Sequence, residues 1–303
     1  MKYSLKYLIL ALFLPVACCF TACDTDIEAI DQAILTPDEQ DPEQYEAYCK
    51  ALRDYKSSEH YVVLASLDNA PQVPGSEKVF LRSLPDSLDI VTLANADNLS
   101  AYDIEDIPQA QRKGTKILYA IDYNARSATM DAAAFGKYLD QVAEKVAAYG
   151  FDGITVTYDG PMTADAKDAA AAVVGKFAGR SLLLVWEGNP LFIPKADHDK
   201  FAYCILNTLE IGNTFNLRSQ IDYAVNFAGV PMAKLIVSAD PTGRLTDDAL
   251  QFQPSVLETA KSVITMGPLA GLGVYHVGED YFDAYINYRQ TKQAIGLLNP
   301  AAK

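Results

Sequence analysis

Eight short apolar runs, each followed by a more polar or amphipathic stretch, recur between residues 61 and 277 and constrain this chain more than any other feature. They occupy 61–67, 88–94, 116–121, 153–158, 182–186, 201–206, 235–239 and 272–277. Such runs are strand-length and apolar almost throughout, as strands covered on both faces must be. Helical candidates lie between them at 131–148, 164–177, 217–228 and 254–265. The first repeats apolar residues at Phe135, Leu139, Val142 and Val146, the spacing of one helix face. Strands and helices alternating at this count and length predict an α/β fold, a single-domain (β/α)8 TIM barrel. A doubly wound open sheet also alternates, but it usually needs fewer strands and often carries a Gly-rich phosphate turn. No such turn follows the first run.

The N-terminal segment has a different character. Lys2 and Lys6 precede an apolar run over 7–20 that is too short for a stable membrane span, so residues 1–22 are expected to be a removed signal. The run ends in Phe20-Thr21-Ala22-Cys23, which resembles a bacterial lipobox with Cys23 as the lipidated new N-terminus. An ordinary secretory signal or a retained anchor is the alternative. The acidic opening Asp24-Thr25-Asp26-Ile27-Glu28 looks like a surface-export signal, so the expected location is the outer face of a bacterial outer membrane. A lipid anchor at Cys23 with two or more acyl chains suffices for stable attachment. Residues 23–41 read as an acidic, Pro-containing tether, and 42–303 as the barrel.

Charge and cysteine usage exclude several classes. Loss of the signal moves the formal charge from −14 to −16, and no Lys/Arg cluster offers a nucleic acid its phosphate contacts. Beyond Cys23 only Cys49 and Cys204 remain, which is no disulfide framework; two buried thiols or a single bridge are both open. His60, His198 and His276 lack metal-ligand spacing, so neither a metal nor another cofactor is expected.

In such barrels functional groups gather at the C-terminal strand ends and the following loops. That rule selects Asp68, Asn69, Asn95, Asp122, Tyr123, Tyr158, Asp159, Trp186, Glu187, Asn207, Asp240, Tyr275 and His276. Alternation along the strand puts Thr155, Thr157 and Asp159 on one face, turned into the barrel, and Tyr158 on the other. Plainer roles stand beside each. Asp152-Gly153 suits a tight lead-in to the strand, and Thr155 and Thr157 suit a strand by β-propensity alone. Asp159-Gly160-Pro161 is an ordinary turn in which Asp159 caps a helix or bends the chain. Trp186 fits a core as well as a platform, and His276 a hydrogen-bonded polar residue.

The stretch Gly150-Phe151-Asp152-Gly153-Ile154-Thr155-Val156-Thr157-Tyr158-Asp159 resembles the signature strand of family-18 glycoside hydrolases, the chitinases and endo-β-N-acetylglucosaminidases. Their pattern is Asp-Gly, an apolar residue, Asp, an apolar residue, Asp, any residue, Glu. Here Asp152, Gly153, Ile154 and Val156 match, while the three acidic positions hold Thr155, Thr157 and Asp159. Residues 116–121 look like the family's third strand, with Ala120, Asp122 and Tyr123 in place of its Ser and Gly-Gly, and 87–91 resemble the second. The tryptophan common on the last strand of chitinases is missing.

The resemblance implies a substrate-assisted reaction, an exception to the two-carboxylate scheme. The terminal Glu protonates the leaving oxygen, and the Asp two residues earlier stabilises the acetamido group as it gains positive charge. Thr157 offers a hydroxyl in that place, and such electrostatic contributions are commonly worth roughly 3–4 kcal/mol. Asp159 is one methylene shorter than the acid, a displacement of about 1 Å that can cost roughly a hundredfold. Thr155 removes the like charge that supports a raised acid pKa.

The expected protein is therefore a glycan-binding surface lipoprotein, catalytically impaired, holding GlcNAc-containing oligosaccharides of N-glycan or chitin type for neighbouring uptake proteins. Its expected contacts are Trp186, Glu187, Asn95, Tyr123, Asn207, Asp240, Tyr275 and His276. Two alternatives stay open: an active endo-β-N-acetylglucosaminidase-type hydrolase with Asp159 as acid, helped by Glu187 or Asp240, and a protein-interaction scaffold that binds no glycan.

Overall fold

Among the described residues, eight strands form where the apolar runs predict them, and a hairpin adds two more. They are β1 Val62–Leu67, β2 Ile90–Leu93, β3 Lys116–Asp122, β4 Gly153–Tyr158, β5 Leu183–Gly188, β6 Tyr203–Leu206, β7 Leu235–Ala239, β8 Arg244–Thr246, β9 Phe252–Pro254 and β10 Gly271–Val274. In this computed structural model, which describes residues 35–301, eight of them close into a parallel barrel in the order β1-β10-β7-β6-β5-β4-β3-β2. The fold is the expected (β/α)8 barrel. Strands β8 and β9 pair antiparallel in the loop after β7.

Period-two alternation divides the core into two layers. Leu64, Ile90, Leu118, Val185, Ile205 and Ile236 fill the barrel interior. The residues between them, including Val63, Val91, Ile117, Ile154, Leu184 and Val237, face the surrounding helices. Helix Ala132–Tyr149 brings Phe135, Leu139, Val142 and Val146 to that outer layer, the face read from the sequence. Its start is capped by Asp131, which accepts from the Ala134 N–H, and its end by Gly150 in the left-handed conformation. Thr163 caps helix Ala164–Phe177 in the same way.

The Asp152-Gly153 lead-in is structural. Asp152 accepts from the Ile117 N–H at 2.9 Å and from the Lys116 ammonium at 2.9 Å, tying the foot of β4 to β3. A Cβ at residue 153 would lie 2.1 Å from the Leu183 carbonyl oxygen, so only glycine lets β5 approach. Cys49 and Cys204 are both buried free thiols.

The chain divides into two units, with the boundary between Glu46 and Ala47. In the first, the described residues form a helical turn, Pro37–Gln40, in which the Thr36 N–H and hydroxyl both donate to Glu39. Helix Pro42–Ser57 then begins at Pro42, whose fixed φ suits a first helical position. The end of the expected tether is thus partly helical. Residues 1–34, which include the expected signal, Cys23 and the first part of the tether, lie outside the described residues. Among the described residues no helix is long and apolar enough to cross a membrane.

Candidate functional site

Three inward-facing residues on adjacent strands lie level at the C-terminal end of the barrel. Asp122 of β3 is in register with Thr157 of β4, and Thr157 with Glu187 of β5. The Thr157 hydroxyl donates to Glu187 Oε2 at 3.0 Å. One layer deeper, Thr155 meets Thr92 of β2, hydroxyl to hydroxyl at 3.1 Å, and both are buried. Threonines therefore fill the floor where β4 turns inward, and the carboxylates stand above it.

Glu187 is the unusual member. Burial raises its carboxyl from an ordinary 4.5 to about 7. Hydrogen bonds from Tyr275 and Thr157 pull the value down, and the negative charges of Asp159 and Asp122 push it further up. Tyr275 is enclosed in the interior cluster with Val185, Ile205 and Ile236. Its hydroxyl is held well above the usual tyrosine range by burial and then by Glu187, so it remains a donor to that carboxyl.

Asp159 sits beyond the end of β4 and is exposed. Its Oδ2 accepts from Asn207 Nδ2 at 2.8 Å, and its backbone N–H donates to Asn124 Oδ1 at 3.0 Å. It caps no helix, since Thr163 performs that task for the next one. Gly188 makes room for this strand end. Its φ is +117°, and a Cβ there would lie 2.1 Å from the Tyr158 carbonyl oxygen and 2.7 Å from Asp159 Oδ1.

The remaining expected contacts separate into groups. On the rim, His276 Nδ1 meets Asp240 Oδ2 at 2.8 Å. Burial alone would raise Asp240, but hydrogen bonds from Thr242 and His276 outweigh it and lower the value. Asn95 is exposed at the end of β2, and its N–H donates to buried Asn69, which in turn donates to Asp103. These asparagines line an open groove of about 490 Å³ with Asp68, Gln72 and Asn98.

Two expected contacts lie elsewhere. Trp186 is 1 % exposed and packs between Phe192 and Phe201 on the helix side of β5, so the sugar platform expected there is core. The alternation that turns Glu187 inward turns its neighbour outward. Tyr123 is likewise buried, against Phe135 and Tyr158 at the start of helix Tyr123–Ser127. Asn124 and Thr92 were not singled out from sequence. For Asn124 the only signal is an amide two residues past a strand end. Among the described residues no group of three or more His, Cys, Asp and Glu is placed to hold a metal ion.

Residues 25–133 match the sequence model of glycoside hydrolase family 18, BT1044-like. Among solved structures, a selenomethionine form of BT1044 superposes with a TM-score of 0.70 at 18% identity, covering 88% of this chain and 94% of the other. The endo-β-N-acetylglucosaminidase of Cordyceps militaris superposes at 0.66 and 18% identity, covering 84% and 96%. A substituted form of that enzyme, in complex with fucosyl-N-acetylglucosamine-Asn, gives 0.62 at 17% identity, covering 83% and 95%. No match is found among curated protein sequences.

The fold is family-18-like. In this barrel β4 is the strand whose sequence resembles the family's signature, with Asp152 and Gly153 at its foot and Asp159 beyond its mouth end. The level of the mouth that Thr157 occupies is shared with Glu187, a carboxylate contributed by the neighbouring strand.

Proposed function

We propose that the mouth of this barrel binds a GlcNAc-containing oligosaccharide without hydrolysing it, and that the protein does so on the outer surface of a bacterial outer membrane. One observation carries the catalytic half of this reading. The side chain beyond the end of β4 is an aspartate, one methylene shorter than the glutamate of the family-18 pattern, and its Oδ2 is already engaged by Asn207 Nδ2 at 2.8 Å. Thr157 beside it is spent on Glu187 and carries no charge to offset a developing cation. For binding, the mouth presents what sugar hydroxyls and amides need: carboxylates at Asp122, Asp159 and Glu187 and amides at Asn207 and Asn124. The related endo-β-N-acetylglucosaminidase whose structure holds fucosyl-N-acetylglucosamine-Asn supports this ligand class. Lipid attachment at Cys23 and delivery to glycan-uptake proteins complete the proposal.

Isothermal titration against N-glycan and chitin-type oligosaccharides, paired with a glycan-release assay, tests it. Binding without release is the expected result, and uniform absence of binding sinks the reading. Loss of metabolic palmitate labelling in Cys23→Ala tests the anchor. A second reading, an active hydrolase, is favoured by Glu187, a buried carboxyl at about 7 near exposed Asp159. Release abolished by Asp159→Ala or Glu187→Gln would establish it.

A further inference from the structure

Helix Thr214–Asp222, which follows β6, buries Thr214, Leu217 and Ile221 and turns its other side to water. That outer side carries Phe215 and Ser219, and Tyr223 and Phe227 continue the line. The four residues stand four apart, so they form one stripe along the helix. Past Asp222 the chain is wound as a π-helix over Tyr223–Ala228, a rare form that recurs at functional positions. The wider turn sets the Phe227 ring on the Tyr223 ring, stacked with centroids 5.3 Å apart. Asn213, the cap of this helix, bridges to Thr246, and Thr246 pairs with Phe252 across the β8–β9 hairpin. The hairpin thus holds Phe252 near the head of the stripe, with Leu250 two residues before it. Phe215, Phe227, Leu250 and Phe252 are 72 %, 63 %, 80 % and 71 % exposed. At about 150–250 Å² for an aromatic side chain, they leave on the order of 500 Å² of apolar surface in water.

We propose that this face is the contact between two copies of the chain, related by a two-fold axis beside Ser219. Area, shape and charge each select a second copy as the occupant. A stable dimer buries about 800 Å² per partner, about 65 % of it apolar, and the exposed stripe and hairpin supply an apolar share of that size. Ser219 is the smallest side chain of the stripe, so two helices crossing antiparallel there approach closely. Phe215 of each copy then comes level with Tyr223 of the other, and Phe227 with the start of the opposite helix, where the hairpin carries Phe252. Arg218 and Asp222, both exposed, lie on one flank of the stripe. The two-fold lays Arg218 of each copy beside Asp222 of the other, giving two ion pairs at the rim. Within one copy Arg218 reaches Asp248 at 3.4 Å, an exposed contact that it can give up.

Cysteine cross-linking of the full chain in bacterial cells tests this. Ser219→Cys sets two thiols across the axis within disulfide reach, so mild oxidation is expected to give a band at twice the chain mass, made of two differently tagged copies. Wild type is the reference, in which Cys49 and Cys204 are buried and are expected not to react. Val73→Cys, an exposed position in the loop after β1, measures chance collision and is expected to give no such band. Adding Phe227→Glu to Ser219→Cys is expected to abolish the band; that side chain is largely in water within one copy, so its replacement leaves the fold in place. Arg218→Asp is expected to weaken the band, and Arg218→Asp with Asp222→Arg to restore it. Absence of the band from Ser219→Cys, an equal band from Val73→Cys, survival of the band in Phe227→Glu, no rescue by the charge exchange, or a link to a different protein overturns the inference. All the helix positions lie outside the mouth, so glycan binding stands or falls separately.

Discussion

Thr157 Oγ1 donates to Glu187 Oε2 at 3.0 Å across the β4–β5 register, so a neutral side chain of one strand steadies an acid of the next. The acid lies deep enough that burial governs its chemistry, and the hydroxyl softens that effect without reversing it.

Protein stability should record the acid directly. The unfolded chain loses the Glu187 proton near 4.5 and the folded chain near 7, so the folded state binds more protons between those values. Stability from this group therefore falls as pH rises from 4.5 to 7 and stays low above. Glu187→Gln should be close to neutral in acid and stabilising at mildly alkaline pH. At about 1.4 kcal/mol per unit, the ceiling is of order 3 kcal/mol. Thermal melts of both proteins across that range measure it, and parallel curves would contradict it.

A second titration runs from a different place. His60 Nδ1 meets the Ser58 carbonyl oxygen at 2.7 Å and Nε2 meets Asp89 Oδ1 at 2.8 Å, so both ring nitrogens face acceptors, an arrangement that favours the protonated ring. The Asp89 hydrogen bond raises the ring above its ordinary 6.5, against the opposing effect of burial. Its stabilisation is complete below 6.5 and is lost as pH rises through the folded value. His60→Gln should remove that alkaline step and leave the Glu187 step in place. Denaturant titrations above and below the window separate the two.

Two glycines should respond with opposite signs. Gly188→Ala forces a Cβ to within 2.1 Å of the Tyr158 carbonyl oxygen at φ +117°, and a loss of roughly 2–4 kcal/mol is expected. Gly136→Ala, inside helix Ala132–Tyr149 with nothing near the added methyl, should gain about 0.5–1 kcal/mol. Chemical denaturation reads both.

Trp186 is the sole tryptophan, and its indole N–H donates to the Asn189 carbonyl oxygen at 3.2 Å inside the outer core. Its fluorescence should report unfolding and stay unchanged when a glycan fills the mouth. Quenching or a spectral shift on ligand addition would place the ring at the site after all. Trp186→Phe should cost about 1–3 kcal/mol while leaving affinity intact.

Much of this architecture is legible from local pattern. The run 153–158 and the amphipathic stretch 164–177 coincide with a strand and a helix of the barrel, because a doubly covered strand and a one-sided helix have distinct apolar periods. Helix Pro42–Ser57 escapes that reading: Tyr45, Cys49, Leu52 and Tyr55 lie at helical spacing, but Cys49 is its only fully buried residue and polar residues dominate the rest. Trp186 was misassigned for a different reason. Position at a strand end suggested a platform, yet the period-two rule that turns Thr157 inward also turns Trp186 toward the helices once Glu187 faces the interior.

From the amino acids alone come the rhythm of strands and helices, the inward parity of Thr155 and Thr157, and the hydroxyls these two residues place along β4. These are local properties, carried by side-chain period and residue type. The character of Glu187 is not local. Its proton affinity depends on closure of the barrel, which buries it and brings Thr157, Asp159, Asp122 and Tyr275 to it from three other strands. Burial and neighbouring charge are properties of a place in space, and no stretch of chain around residue 187 contains them.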